Sequence, residues 1–316
     1  MVLKRLFLLA IICFYSCNVQ KQTVDTATEN KDSNRYESFV FEEVNITSDV
    51  VYGSNTTQGG KAKELKMDIY EPSNDAEEKR NLIIIAHGGG FYAGNKASMK
   101  KMATYFAKSG YVVASINYRL LDVWPTQEIL KYTVLNAVFD MKAAVRFFKK
   151  DAAKENRYKI NPNTIYVGGY SAGAVMALNY AYVNSDKEIE SVGGEKMVAY
   201  VKEHGGMEGD SGNEGYDSRI KGVINISGSL FFSEHVDENE PILFSIHGTN
   251  DQTVPYEKGD TNSTGIISEG SSLIHKEAEE VGITNSLYTI EEGGHRAYRV
   301  CDDCHDRIRS FLSANY

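Results

Sequence analysis

The sequence lacks a surplus of positive charge. Its 34 Lys and Arg residues are outnumbered by 43 Asp and Glu residues, which gives a formal net charge of −9. Proteins that bind nucleic acid concentrate basic residues in a patch or stripe, whereas the basic residues here are scattered along the chain. The composition therefore predicts no nucleic-acid partner.

The sequence also lacks an apolar run near its start that is long enough to cross a bilayer, which takes about 20 residues. The run there covers only residues 6–12, and two basic residues precede it. A short apolar run after basic residues is typical of a cleaved signal peptide. We therefore expect residues 1–17 to be a targeting segment outside the fold.

The expected targeting segment ends with a small residue, Ser16, followed by Cys17. This pair resembles the lipobox of bacterial lipoproteins, and the resemblance implies that Cys17 is lipidated and anchors the protein to a membrane. The expected location is then the bacterial cell envelope, in the periplasm or at the outer membrane, with plain secretion as the alternative. Residues 18–38 are polar and have no apolar period, which predicts a disordered tether.

Cysteine is scarce, with four residues in the chain. Cys13 and Cys17 belong to the targeting segment, so Cys301 and Cys304 remain in an exported, oxidising setting. Their spacing is expected to place them on one face of a helix, and we predict a disulfide between them. The same residues match the C-x-x-C-H motif of haem attachment, but the surrounding segment is charged and a haem needs an apolar pocket. We expect no cofactor. We also expect no metal, because three histidines in polar stretches have no partner at ligand spacing.

Residues 39–316 exceed most single domains but fit one large α/β domain. Strands are predicted at 39–47, 65–70, 82–86, 111–116, 164–167, 220–226, 242–246 and 287–290. Helices are predicted at 96–109, 128–154, 172–180, 266–281 and 298–314. This alternation predicts a mostly parallel central sheet with helices on both faces. The polar and apolar alternation in the second strand indicates that the N-terminal strands are antiparallel, with that strand at the edge.

Residues 184–216 interrupt this alternation. The segment is rich in glycine and charge and is too long for an ordinary loop. Two interpretations remain open, a lid over the functional site and a mobile surface insertion.

Ser171 is the candidate nucleophile. It stands in the pentapeptide Gly-Tyr-Ser-Ala-Gly, residues 169–173, between a predicted strand and a predicted helix. This G-x-S-x-G pattern at a strand-to-helix turn is typical of a nucleophile elbow. Its sharp bend requires small residues two positions before and two positions after the serine. A serine hydroxyl is a weak nucleophile and needs a base that is oriented by an acid. Asp251 and His295 each follow a predicted strand, so both are expected at the same sheet edge as the serine.

The second stretch that carries chemistry is His-Gly-Gly-Gly, residues 87–90, directly after a buried strand. With the elbow and the order Ser171, Asp251, His295, it makes residues 60–316 resemble an esterase of the α/β-hydrolase superfamily. The resemblance implies an α/β-hydrolase fold and an oxyanion hole.

The oxyanion hole implied by this resemblance consists of the backbone N–H groups of Gly89, Gly90 and Ala172. Phe91 and Tyr170 adjoin these motifs. They are expected to contact the acyl group of a substrate, with loop packing as the alternative.

Within the superfamily, three stretches are similar to those of exported acetyl and feruloyl esterases of plant polysaccharides and of hormone-sensitive-lipase-like carboxylesterases. They are His-Gly-Gly-Gly-Phe at 87–91, Tyr-Arg-Leu at 118–120 and Asn-Pro-Asn at 161–163. The N-terminal tether and strands favour the first group. The resemblance implies a serine carboxylic ester hydrolase that acts on short-chain or aromatic acyl esters of small molecules or carbohydrates. A lipase or peptidase of the same fold, or a non-catalytic binding protein, is the alternative. The charge of residues 184–216 argues against a lipid interface at the entrance.

Overall fold

The computed structural model describes residues 34–316. The strands are β1 (Val44–Thr56), β2 (Ala62–Pro72), β3 (Arg80–Ala86), β4 (Val112–Ile116), β5 (Ile160–Tyr170), β6 (Gly222–Ile226), β7 (Ser229–Leu230), β8 (Ile242–Gly248), β9 (Lys258–Asp260), β10 (Ile267–Gly270) and β11 (Asn285–Ile290). The α-helices are α1 (Lys100–Lys108), α2 (Gln127–Lys154), α3 (Ala172–Tyr182), α4 (Asp186–Glu203), α5 (Ser271–Glu280) and α6 (Cys304–Ala314). Short 3₁₀ helices cover Lys96–Met99, Gly206–Glu208, Ser233–His235, Thr261–Ser263 and Ala297–Val300. Within this part of the chain, no helix combines the length and the apolar character that a bilayer crossing requires.

The central sheet has eight strands in the order β1-β2-β4-β3-β5-β6-β8-β11. All neighbours from β4 to β11 run parallel, while β2 is antiparallel to both β1 and β4. The predicted α/β-hydrolase fold, a mostly parallel sheet with antiparallel N-terminal strands, is confirmed. The predicted position of the second strand is wrong, because β1 covers its outer side and is itself the edge.

Side chains of β3 alternate between the two faces of the sheet, as the pleat of a strand requires. Leu82, Ile84 and Ala86 belong to a core that includes residues of α2, α3 and α5. Ile83 and Ile85 belong to a second core that includes residues of α1 and α6. Burial on both faces explains why this strand is a continuous apolar run.

The predicted boundary between tether and domain at residue 39 is too late. Tyr36 is buried, donates its backbone N–H to Ser109 and accepts a hydrogen bond from the amide of Asn81 through its hydroxyl. Arg35 pairs with the buried carboxylate of Asp75. Residues 34–38 therefore pack with the domain, because an aromatic ring and a paired guanidinium outweigh the polar composition. The first strand also begins later than predicted, at Val44.

Residues 184–216 are ordered and largely helical. The helix α4 begins with a capping box in which Ser185 and Glu188 exchange hydrogen bonds with each other's backbone. It packs on α2, where Tyr200 donates its hydroxyl to Asn136 at 2.9 Å. None of the residues 184–216 lines the cavity at the candidate site, so the structure gives this segment no lid position.

Residues 258–270 contain a feature that the sequence did not predict. They supply β9 and β10, and β10 pairs with both β7 and β9 in a small antiparallel sheet. The helix predicted at 266–281 accordingly begins only at Ser271. The small sheet matters for the site, because residues in and beside it form one wall of the cavity described below.

Candidate active site

Ser171 lies at the turn between β5 and α3. Its backbone has φ 56° and ψ −122°, in the left-handed region that a residue with a side chain avoids, at a cost of about 1–3 kcal/mol. The turn is held because the amide of Ser171 donates to the carbonyl oxygen of Ile226 at 2.8 Å. It is also packed so tightly that a Cβ added at Gly169 or Gly173 would approach the carbonyl oxygen of Ala86 to 2.3 or 2.2 Å. The G-x-S-x-G pattern thus meets a steric requirement of this turn.

The structure brings the three predicted residues into one hydrogen-bonded line. The Ser171 hydroxyl oxygen lies 2.8 Å from Nε2 of His295, and Nδ1 of His295 lies 2.7 Å from Oδ2 of Asp251. The Asp251 side chain is fully buried, while His295 is 15% exposed and faces the cavity. With Nδ1 donating to the carboxylate, Nε2 is left to accept the hydroxyl proton of Ser171.

Asp251 is fixed by more than the histidine. Its Oδ1 accepts the backbone N–H groups of Thr253 and Val254 at 2.8 and 3.0 Å. Burial by itself would raise the pKa of Asp251, but hydrogen bonds from His247, His295 and these two amides outweigh it and hold the pKa well below its ordinary value. The carboxylate therefore stays ionised at neutral pH.

His247 is a site residue that the sequence analysis did not single out. It is fully buried near the end of β8, and its Nε2 lies 3.3 Å from Oδ2 of Asp251 and 3.1 Å from the carbonyl oxygen of Val254. Both of these neighbours are acceptors, so Nε2 carries a proton. Nδ1 lies 2.8 Å from the hydroxyl of Ser271. The sequence feature that could have identified His247 is its position at the end of a strand, four residues before Asp251.

The glycine-rich loop after β3 lies against the elbow. Gly89 and Gly90 have φ of 127° and 61°, a conformation that glycine adopts without strain, and both line the cavity beside Ser171. Ala172, the first residue of α3, lines the same cavity. The three residues predicted to supply amide donors thus line the same cavity as Ser171.

His87 holds this loop rather than facing the cavity. Its ring stacks on Tyr118 with centroids 4.5 Å apart, and the Tyr118 hydroxyl donates to the His87 carbonyl oxygen at 2.8 Å. Burial lowers the pKa of His87, which favours a neutral ring that donates from Nδ1 to the Gly88 carbonyl oxygen at 2.8 Å.

The cavity at Ser171 has a volume of about 500 Å³, within the usual range for small-molecule sites. One wall is apolar and comes from α2, α3 and the small sheet. Its residues are Leu130, Val134, Val175, Leu230, Phe231 and Ile266. A second group of lining residues is aromatic and cationic, and two of them, Tyr170 and Tyr298, pack with the core on the other face of the sheet. Its residues are Tyr92, Tyr170, Arg296, Tyr298 and Arg299.

The two residues predicted to contact substrate, Phe91 and Tyr170, both line the cavity. Phe91 is mostly buried and packs edge-on against Tyr118, so only a small part of its ring is available. Tyr170 donates its hydroxyl to the backbone carbonyl of His295 at 3.0 Å, and burial raises its pKa to about 12. Tyr170 therefore also positions the histidine loop.

Cys301 and Cys304 form a disulfide with Cα atoms 5.6 Å apart. The predicted pairing agrees with the structure, but the helical-face argument for it was wrong, because α6 begins at Cys304 and Cys301 precedes it.

Among residues 34–316, one group of metal-ligating type occurs, and it consists of these two cysteines with Asp303. The disulfide leaves it without a thiolate. Cys17 lies outside the described residues.

Comparisons with known proteins give the same fold. Esterase 2 of Thermogutta terrifontis phosphorylated by paraoxon superposes with a TM-score of 0.60 at 19% identity, covering 87% of this chain and 92% of that one. A truncated carbohydrate esterase from gut microbiota superposes with a TM-score of 0.61 at 19% identity, covering 86% and 96%. At these identities the likeness shows the α/β-hydrolase fold.

Among curated proteins, the chain is similar to the isoprenylcysteine alpha-carbonyl methylesterase ICME of Arabidopsis thaliana, at 22% identity over 247 residues. The match covers 72% of this chain and 53% of that protein, so the chain spans about half the length of this relative. The family profile of BD-FAE matches residues 67–230, which include the glycine-rich loop and the elbow. Because that match covers more than half of the sequence, the chain belongs to the BD-FAE family of α/β hydrolases.

Proposed function

We propose that this protein hydrolyses carboxylic esters through a covalent acyl-serine intermediate. The observation that carries the proposal is the line from Asp251 through His295 to Ser171, with hydrogen bonds of 2.7 and 2.8 Å, at the wall of a cavity that a small ester fits. Esterase relatives and family membership support the reaction class. The relative phosphorylated by paraoxon supports a covalent route.

In the acylation step, the Ser171 oxygen attacks the ester carbonyl carbon while Nε2 of His295 takes the hydroxyl proton. The carbonyl oxygen becomes an oxyanion, which the N–H groups of Gly89, Gly90 and Ala172 stabilise. Removing one such donor typically costs about 2.7–4 kcal/mol of barrier lowering. His295, now cationic and held by the Asp251 carboxylate, gives its proton to the departing alcohol oxygen, and the C–O bond breaks.

Deacylation repeats these steps with water. Nε2 of His295 takes a proton from the water, the hydroxide attacks the acyl carbon, and a second oxyanion forms at the same amides. The intermediate collapses when His295 returns the proton to the Ser171 oxygen, which releases the carboxylic acid. None of these reaction steps uses a cofactor, and Asp251 changes neither its protonation nor its position.

The substrates we propose are esters with short or aromatic acyl groups. The apolar wall, with Val134, Val175 and Phe231, supports binding of such an acyl group, and the volume of about 500 Å³ suits a small ester. The charged segment 184–216 does not bear on acyl length, since it does not line the cavity. Carbohydrate esters, including those of plant polysaccharides, are the class to test first, because one fold relative is a carbohydrate esterase.

A fluorophosphonate probe tests the mechanism. Wild-type protein should be labelled at Ser171, whereas Ser171→Ala should not be labelled and should lose hydrolysis of nitrophenyl acetate by on the order of 10⁴-fold or more. Ser98→Ala is the matched control, because Ser98 lines the same cavity but donates its hydroxyl to Asn95. Labelling that persists in Ser171→Ala, or equal loss in Ser98→Ala, contradicts the proposal.

We further propose export and a lipid anchor at Cys17. The support is the order of basic residues, short apolar run and Ser16–Cys17 at the start of the sequence. Cys17→Ala expressed in a bacterial host should shift the protein from the membrane fraction to the soluble fraction with unchanged specific activity. Persistent membrane association of this variant contradicts the anchor.

A further inference from the structure

The charge of the cavity wall is opposite to the charge of the chain. The protein carries a net charge of −9, with 43 acidic residues, yet no Asp or Glu of residues 34–316 lines the cavity at Ser171. Two arginines, Arg296 and Arg299, do line it. Among residues 34–316, the arginines that form ion pairs with a carboxylate do not include Arg296 or Arg299. An acidic protein thus presents its substrate with cations that none of the described carboxylates neutralises.

A backbone hydrogen bond holds the two arginines close together. Both are exposed at the end of the loop that carries His295, and the amide of Arg299 donates to the carbonyl oxygen of Arg296 at 3.0 Å. Arg296 is the N-cap of the 3₁₀ turn Ala297–Val300 and Arg299 is the third residue of that turn, so the hydrogen bond keeps the two residues close together. The pair therefore acts as one patch of positive charge.

The side chain of Arg299 also contacts Tyr170, which in turn contacts His295. Its guanidinium carbon lies 5.0 Å from the ring centroid of Tyr170, within cation–π range. The Tyr170 ring packs on His295 at 5.1 Å and on Tyr298 at 4.7 Å, and its hydroxyl binds the His295 backbone. A guanidinium fixed in this way loses less freedom on binding an anion than one on a free side chain.

The side of the cavity on which the arginines lie identifies the half of the substrate they meet. His295 must deliver its proton to the departing alcohol oxygen, so the alcohol half lies beside His295. Arg296 and Arg299 come from the same loop. The apolar lining residues Val134 and Leu230, which we assign to the acyl half, pack with the core on the other face of the sheet from Tyr170. An anionic group near the arginines therefore belongs to the alcohol.

We propose that Arg296 and Arg299 form a subsite for a carboxylate on the alcohol half of the ester, as in an ester of a hydroxy acid or of an acidic sugar. The proposal rests on the esterase function proposed above. The planar guanidinium forks match a carboxylate, and none of the acidic residues in the described part of the chain lines the cavity beside them. Esters of neutral alcohols have no group to place there.

The test compares two acetyl esters that differ by one charge, 4-acetoxybenzoate and its neutral methyl ester, with release of the phenol as the measurement. Each rate is normalised to the uncatalysed rate of the same ester. The quantity of interest is the ratio of kcat/KM for the anionic ester to that for the neutral ester. In Arg296→Gln/Arg299→Gln this ratio should fall about tenfold from the wild-type value, with about threefold for either single variant, as expected for exposed charge pairs.

Arg157→Gln is the matched control, because it removes the same charge at an exposed position that does not line the cavity. Its ratio should equal that of wild type, and added salt should lower the wild-type ratio but not that of the double variant. The proposal is overturned if the double variant keeps the wild-type ratio, or if both esters lose rate equally. The salt series on wild type decides the matter if the double variant does not fold. Failure of the esterase function itself has a different signature, namely that wild type hydrolyses neither ester.

Discussion

Gly173→Ala is the substitution for which the structure predicts the most specific effect. A Cβ at this position would lie 2.2 Å from the carbonyl oxygen of Ala86 and 2.9 Å from that of His87. Contacts of a real Cβ do not fall below 3.0 Å, so the elbow and the end of β3 must separate by about 0.8 Å. Both neighbours are backbone atoms in the tightly packed middle of the sheet, so no side chain can rotate away.

The expected loss has two parts. Overpacking of this kind costs about 1–3 kcal/mol of folding free energy, which corresponds to a melting temperature lower by roughly 2–10 °C in a domain of this size. The larger effect should be on turnover, because β3 leads into the loop with Gly89 and Gly90 while the elbow carries Ser171. A displacement of about 1 Å between nucleophile and oxyanion donors can lower the rate about 100-fold.

The assay is kcat/KM for nitrophenyl acetate, measured beside thermal unfolding. Gly282→Ala is the control, because Gly282 has φ 79° but no atom within 4 Å of an added Cβ. That variant should lose about 1 kcal/mol of stability from backbone strain and keep its kcat/KM. Gly173→Ala with kcat/KM within about twofold of wild type would refute the close-approach argument.

Three further predictions concern residues around the site and on the surface. His247→Ala should lower kcat at nearly constant KM and destabilise the fold by about 1–3 kcal/mol, because buried partners lose their hydrogen bonds, while His247→Gln, which keeps a donor, should recover part of both. Burial raises the pKa of Glu240 to about 7 from 4.5, so folding stability falls as pH rises between these values, and Glu240→Gln should narrow the difference in melting temperature between pH 5 and pH 8. Cys301→Ser opens a loop of four residues and should cost at most about 2 kcal/mol in thermal unfolding, with no further effect of reductant.

The hydrogen-bonded arrangement of Ser171, His295 and Asp251 was predictable because its sequence signals are local. The change from strand to helical pattern around Ser171 fixes a turn, and the glycines on either side indicate how sharp it is. Asp251 and His295 follow apolar runs that could be recognised as strands, and parallel strands place their carboxyl ends at one edge of the sheet. Each step needs only neighbouring residues and one topological rule.

The contact of His247 with Asp251 was harder to predict from the sequence, because it depends on residues that are distant in the chain. Its other partner, the hydroxyl of Ser271, lies 24 positions away, and the need for a second donor on Asp251 appears only once that carboxylate is known to be buried. The small sheet was missed for a related reason. β7, β9 and β10 have only two, three and four residues, too few for a visible period, and they are strands only because they pair.

The segment 184–216 shows how composition alone can misplace a charged surface relative to the candidate site. Its charges suggested a polar surface at the entrance, but α4 turns its buried residues, including Ile189 and Met197, toward the core beside α2 and its charges toward solvent. The glycine content of the segment suggested a mobile loop. Ser185 and Glu188, however, have the spacing of a capping box, which predicts the start of a helix. Selection of the acyl group must instead come from residues that line the cavity, on α2 and the small sheet. Substitutions at Val134 should therefore change acyl preference, and charge changes along α4 should not.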